Sequence, residues 1–152
     1  MIILNPMAVF AINKRASFDY SILEIFEAGL ELKGFEVKSI VAGRANLSGA
    51  HATLKGNEMW LLNLDIPPYQ PSNTPEMYDS KRTRKLLLNR AEINQLIGRT
   101  KEKGLTLIPL KLYNKHGRIK VEIGLARSKK KGDKREAIKK RDVEREIRKS
   151  IS

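Results

Sequence analysis

The sequence predicts a small antiparallel β-barrel interrupted by two helices and followed by a separate basic tail. Three observations carry that prediction. Residues 118–125 alternate strictly, with Ile119, Val121, Ile123 and Leu125 on one side and Arg118, Lys120 and Glu122 on the other. This is the period of a strand with one buried face. Short apolar runs are joined by tight turns, Lys55-Gly56-Asn57 and Asn114-Lys115-His116-Gly117, which favours local antiparallel pairing over a parallel sheet. Beyond Ala126 the apolar residues are Ala137, Ile138, Val143, Ile147 and Ile151, too few for a core. That segment carries twelve Lys and Arg against five Asp and Glu, so it holds +7 of the chain's net +13.

The elements follow in order. Residues 7–12 read as a first strand that ends in the basic turn Asn13-Lys14-Arg15. Ser17 or Asp19 can cap a helix running to Gly34, in which Ile22, Ile25, Phe26 and Leu30 share one face. Residues 35–40 read as a second strand, with Val37 inward and Glu36 and Lys38 toward water. A hairpin fills 52–64, and four of the six prolines make 65–80 a loop. Asn89 and Glu92 have capping-box spacing, and Ile93, Leu96 and Ile97 give the next helix a buried side as far as Gly104. Two long strands complete the barrel.

A length of 152 residues suits one barrel over 1–126 and a tail over 127–152 that stays disordered until it meets a partner. The absence of cysteine excludes disulfides, thiolate metal sites and cysteine nucleophiles. With no apolar run of membrane length and no signal-peptide pattern, a soluble cytoplasmic protein is expected. The cationic excess points to a polyanionic partner, and to nucleic acid before a lipid surface.

Signatures of catalysis are missing. Neither G-x-G-x-x-G nor G-K-[ST] occurs, and His51 and His116 lack metal-ligand neighbours at useful spacing. On the expected first helix Glu24, Glu27 and Glu31 fall in one sector. Such a patch can hold a divalent ion for phosphodiester cleavage, accept hydrogen bonds from base amino groups, or form a solvated face. Lys81-Arg82-Thr83-Arg84-Lys85 leads into Leu86-Leu87-Leu88-Asn89, placing phosphate-gripping cations before an apolar anchor. Lys14, Arg15 and Arg44 add positive charge. Tyr20, Tyr78 and Tyr113 offer rings for stacking or for the barrel wall.

Several motifs occur together in order: Asn13-Lys-Arg-Ala16, Phe26-Glu-Ala-Gly-Leu30, Glu36-Val-Lys-Ser-Ile40, Ala42-Gly-Arg-Ala-Asn46, Arg82-Thr-Arg-Lys-Leu-Leu-Leu-Asn89 and Asp133-Lys-Arg135. On these the chain closely resembles small protein B, the SsrA-binding (tmRNA-binding) family of bacterial trans-translation. The resemblance implies a mainly β, oligonucleotide-binding-type barrel with two or three helices, no catalytic centre and no cofactor. It further implies binding to the tRNA-like domain of tmRNA and delivery of that RNA, with elongation factor Tu, to ribosomes stalled without a stop codon. The tail would enter the empty mRNA channel at the small-subunit decoding centre. By motif, Asn13, Lys14, Arg15, Glu27, Arg44, Arg82, Arg84, Lys85, Leu87 and Asn89 are expected at the RNA surface. Glu27 would then be a base-edge acceptor rather than a metal ligand. Lys129, Lys130, Lys131, Asp133, Lys134 and Arg135 are expected in the ribosome-binding tail. The chain departs from the family pattern at Ser128, where glycine is common, at Gly132, where a ring is common, and at Ser80, where proline is frequent. A general single-strand-binding or ribosome-associated barrel without tmRNA specificity is the alternative reading.

Overall fold

The structure, a computed structural model, describes residues 8–101 and 104–129 together with Arg141 and Arg145. Among these residues seven strands make one antiparallel sheet: β1 (Val9–Ile12), β2 (Tyr20–Leu30), β3 (His51–Lys55), β4 (Glu58–Leu62), β5 (Arg84–Leu87), β6 (Leu105–Lys115) and β7 (Arg118–Ser128). The order β1-β6-β3-β4-β5-β2-β7, with β6 also pairing β7, closes six strands into a ring. β1 extends the edge of β6 beyond the short β3 contact, pairing Val9 with Tyr113 and Ile12 with Lys111. Between the strands lie α1 (Ala16–Asp19), α2 (Gly34–Val41), a 3-10 turn (Pro71–Asn73) and α3 (Arg90–Arg99).

Inside the ring Ala28, Met59, Leu61, Leu86, Leu107, Leu112, Val121, Ile123 and Leu125 form the core, closed off by Ile40 of α2 and by Ile93 and Leu96 of α3. A smaller cluster of Ala16, Ile108 and Ala126 sits beneath α1 with Tyr20, Ile22 and Leu110. The alternation expected in β7 is realised, with Val121, Ile123 and Leu125 buried. Both hairpin turns form as expected. Gly56-Asn57 and His116-Gly117 each place two consecutive residues at positive φ, the left-handed pair that matches strand twist in a two-residue loop. The Asn89–Glu92 capping box also forms: Asn89 Oδ1 accepts from the Glu92 N–H at 2.8 Å, and Glu92 Oε1 accepts from the Asn89 N–H at 3.3 Å.

Two expected elements exchange identity. The segment read as the first helix is β2, whose residues Tyr20 to Gly29 pair along β7 from Ser128 to Lys120. Phe26 packs against the core that buries Ala28 and Leu30, while Ile25 and Glu27 face outward, a period of two. The apolar residues Leu23 and Ile25 on the exposed face, with Glu24 on the half-buried one, mask that period and let the apolar positions imitate helical spacing. The segment read as the second strand is α2. It buries Glu36, Ser39 and Ile40 at helical spacing and leaves Val37 exposed, the reverse of the expected orientation. The expected domain boundary after residue 126 falls inside β7, which runs to Ser128; the Lys129 N–H then donates to the Asp19 carbonyl at 2.9 Å.

Glu36 explains why this segment is a helix. Its Oε1 accepts from the Lys33 N–H at 2.8 Å, satisfying a free donor of the first turn. Its carboxylate, fully buried, meets Arg82 Nη2 at 2.5 Å and Arg84 Nε at 2.8 Å, and lies 3.0 Å from the Tyr78 hydroxyl. Arg84, also fully buried, donates to the carbonyls of Leu64 at 2.6 Å and Ser80 at 2.9 Å, and to the Tyr78 hydroxyl at 3.0 Å. The Ser39 hydroxyl donates to the Pro67 carbonyl at 2.6 Å. One buried anion thus pins α2, the proline-rich loop and β5 together.

Burial by itself would raise the Glu36 pKa; the bonds from Arg82, Lys33 and Arg84, with the charge of Arg84, outweigh it and hold the carboxyl at about 2 instead of 4.5. Breaking a buried pair strands the remaining charge, so Glu36→Gln should cost about 3–5 kcal/mol in urea unfolding. Because the folded-state pKa is depressed, the contribution is complete above pH 4.5 and fades as pH falls toward about 2. The stability gap between the parent chain and Glu36→Gln should therefore narrow across that window; a gap independent of pH there would disprove the ionised, paired state.

Candidate nucleic-acid interface

Glu27 is the centre of a polar patch on the outer face of β2, β7 and β6. The strand pairing sets Glu27 opposite Glu122 and Gly29 opposite Lys120, with Lys120 in turn opposite Tyr113. The Tyr113 hydroxyl donates to Glu27 Oε2, and Lys115 Nζ donates to Oε1 at 3.1 Å and Oε2 at 3.2 Å. The hydrogen bond from Tyr113 lowers the Glu27 pKa most; slight burial opposes it, and Lys115 and the charge of Lys120 add to the lowering. Burial and then the neighbouring Glu27 push the Tyr113 phenol up. At neutral pH the pair is a carboxylate beside a protonated phenol. A carboxylate offers about four lone-pair sites, so the three hydrogen bonds from Tyr113 and Lys115 leave it one acceptor position for an incoming amino group.

The three glutamates do not form an acidic cluster, because the segment is a strand rather than a helix. Glu24 accepts from Arg99 Nη1 at 2.5 Å, Glu27 has the partners above, and Glu31 lies beyond the end of β2. No group of three acidic or histidine residues able to hold a metal ion occurs among the described residues.

Leu87 and Asn89 stand beside the patch at the end of β5. Leu87 is half exposed and rests on Gly29, where an added Cβ would lie 3.2 Å from the Leu87 Cβ. Gly29 therefore permits β5 to approach β2 this closely. Leu88 packs against the core, and Asn89 commits its carbonyl oxygen to the α3 cap.

The basic cluster divides. Arg84 is turned wholly inward onto Glu36, which corrects its expected place at the RNA surface: a guanidinium closed in by five protein acceptors cannot reach a phosphate. Arg82 also binds Glu36 but keeps an exposed edge. Lys85 lies on β5 opposite Trp60 and is half exposed. On the β1–α1 turn, the Asn13 amide donates to the Pro109 carbonyl at 3.0 Å, at the point where β6 shifts register. That bond aims the exposed Lys14 and Arg15, and Arg15 lies over Phe18 and pairs with Asp19 at 3.4 Å. Arg44 stacks on Tyr69 and donates to its carbonyl at 3.1 Å. Of the tail residues, Lys129 donates to the Ser17 carbonyl at 2.7 Å, whereas Lys130, Lys131, Asp133, Lys134 and Arg135 lie outside the described residues.

Sequence reasoning missed Lys115 and Lys120 as members of the patch and left Tyr113 between a stacking ring and the barrel wall, without seeing its hydroxyl as the partner of Glu27. The alternation of β7 and the two-residue turn at His116-Gly117 place Lys120 opposite Tyr113 and were available as signals. No helix among the described residues is long and apolar enough to cross a membrane.

The sequence profile of the family described as SmpB protein matches residues 10–152. The chain is 54% identical over 143 residues to the SsrA-binding protein of Geobacillus kaustophilus, covering 94% of this chain and 92% of that one. It is 52% identical over 139 residues to the SsrA-binding protein of Gloeothece citriformis, covering 91% and 90% of the two chains. A solved structure described as "tmRNA-SmpB: a journey to the center of the bacterial ribosome" superposes with a TM-score of 0.67 at 44% identity, over 88% of this chain and 95% of that one. A profile match over nearly the whole length and relatives above half identity leave one conclusion: the chain belongs to the SmpB family of SsrA-binding proteins.

Proposed function

We propose that the chain is a noncatalytic RNA-binding adaptor of trans-translation, which binds the tRNA-like domain of tmRNA and brings it to stalled ribosomes. The observation that carries this reading is Glu27, an ionised carboxylate fixed by Tyr113 and Lys115, with Lys120 near it and Glu122 opposite it paired to Lys111. Phosphate contacts position an RNA, whereas a fixed acceptor distinguishes base amino groups. In this reading Glu27, Leu87 and Asn89 meet the tmRNA surface. Lys14, Arg15, Arg44, Lys85 and the exposed edge of Arg82 neutralise nearby phosphates, and Asn13 positions its two neighbours. Arg84 is excluded from the interface.

The closed ring of six strands supports an oligonucleotide-binding-type barrel over the first part of the chain, with residues 130–152 as a ribosome-binding tail. The tail's charge suits the RNA-lined mRNA channel and decoding centre, with Asp133, Lys134 and Arg135 at its entry. Elongation factor Tu accompanies the aminoacylated RNA, and the site of action is the cytoplasm.

The primary test is a binding titration of the full chain against the tRNA-like domain of tmRNA, ordinary tRNA and a single strand of equal length, at two salt concentrations. Preference for the tRNA-like domain should survive the higher salt; equal binding that fades together would indicate a generic single-strand binder. Glu27→Gln should weaken binding to that domain by about 1–3 kcal/mol while sparing the melting temperature. An unchanged affinity with a lowered melting temperature would make Glu27 a purely structural residue. Removing residues 130–152 should leave that binding nearly intact and abolish tagging of stalled chains, and tagging at the parental level would rule out the tail's role.

A further inference from the structure

Beside Glu27 the surface opens into a cleft of about 370 Å3, at the lower end of the roughly 300–1,000 Å3 range of small-molecule sites. Val37 and Val41, one turn apart on α2, line it together with Leu87 of β5 and Ile119 of β7. Gly29 contributes a stretch of lining without a side chain. Two of the exposed large apolar residues of the molecule, Val37 and Leu87, face this opening. Arg118 and Lys120 also border it, and neither forms an ion pair among the described residues.

We propose that the cleft receives one unpaired nucleobase of the bound RNA. The inference rests on the RNA-binding reading above and adds a subsite to it. Apolar walls bordered by two cations complement the chemistry of a nucleotide, in which a flat uncharged ring is joined to an anionic phosphate. Val37, Val41, Leu87 and Ile119 cover the ring, while Arg118 and Lys120 meet the flanking phosphates. A base held in a stem cannot enter, so the occupant is splayed from a loop, the state in which RNA bases are ordinarily read. The cleft is continuous with the proposed interface through Gly29 and Leu87, and Glu27 stands two residues from Gly29 on the same strand face. The carboxylate and the cleft therefore lie within reach of neighbouring nucleotides.

The test uses the full chain and the tRNA-like domain of tmRNA, with each unpaired loop nucleotide replaced in turn by an abasic residue. One abasic position should lower affinity about tenfold. Val37→Trp, which fills the cleft, should cost a similar factor with the parental RNA and nothing further with that abasic RNA. Independent, multiplying losses at every position, or unchanged affinity for Val37→Trp, would overturn the proposal. If Val37→Trp lowers the melting temperature, Lys120→Gln takes its place, and its loss should likewise merge with that of the same abasic position. A change confined to sedimentation of the free protein would instead make the cleft a contact between copies of the chain, and the proposal would fall. Failure of the underlying function is separable: the parental chain would then show no preference for the tRNA-like domain over ordinary tRNA.

Discussion

A buried carboxylate, that of Glu36, is the constraint on which the rest of the molecule is arranged. An ionised group without water must be surrounded by donors, and here they come from the start of its own helix, the Lys33 amide, and from one segment 42 to 48 positions further on, the Tyr78 hydroxyl with Arg82 and Arg84. Satisfying it fixes the orientation of α2, folds the proline-rich loop back over the barrel and holds β5 between β4 and β2. β5 is only four residues long, so its sheet pairing alone is a weak clasp for the ring. Arg84 supplies the rest from inside, and the position of Leu87 at the outer face follows from it.

That arrangement separates the chain's positive charge into two kinds. Arg82 and Arg84 neutralise an internal anion, and the planar guanidinium suits them to several fixed acceptors at once. Lys14, Arg15, Lys85, Lys115, Arg118 and Lys120 remain at or near the surface, where a polyanion can reach them. Glu27 is the outward counterpart of Glu36. It has similar partners, a tyrosine and a cation, but water remains on one side, so its carboxylate keeps capacity for a ligand. Two carboxylates in the same chain thus take opposite roles because one is enclosed and the other is not.

Two of the register shifts organise the outer face. At Ile22/Glu24 the shift in β2 divides an apolar end beneath α1 from the polar end around Glu27. At Pro109/Lys111 the shift in β6 accommodates a proline inside a long strand and leaves its carbonyl for Asn13, which sets the direction of the basic turn. The Glu27 patch is therefore mounted on strands, whereas Lys14, Arg15 and Arg44 ride on connecting segments, and the patch and the adjoining cleft share a wall in β2 and β7.

What the sequence by itself determined is what depends on neighbouring residues. The alternation in β7, the left-handed pairs Gly56-Asn57 and His116-Gly117, the Asn89 cap and the charge of the tail all follow from local chemistry, and the ordered motifs were enough to identify the family. Tertiary structure decided the rest. Residues 20–30 became a strand because nine of them pair along β7, and the exposed apolar side chains of Leu23 and Ile25 had disguised their period. Residues 34–41 became a helix because Glu36 found its cations some 46 and 48 positions further along the chain. For the same reason Arg84 faces inward although it lies in a basic run that reads as surface. Whether a charge meets solvent or a buried partner depends on contacts distant in sequence, and no local pattern carries that information.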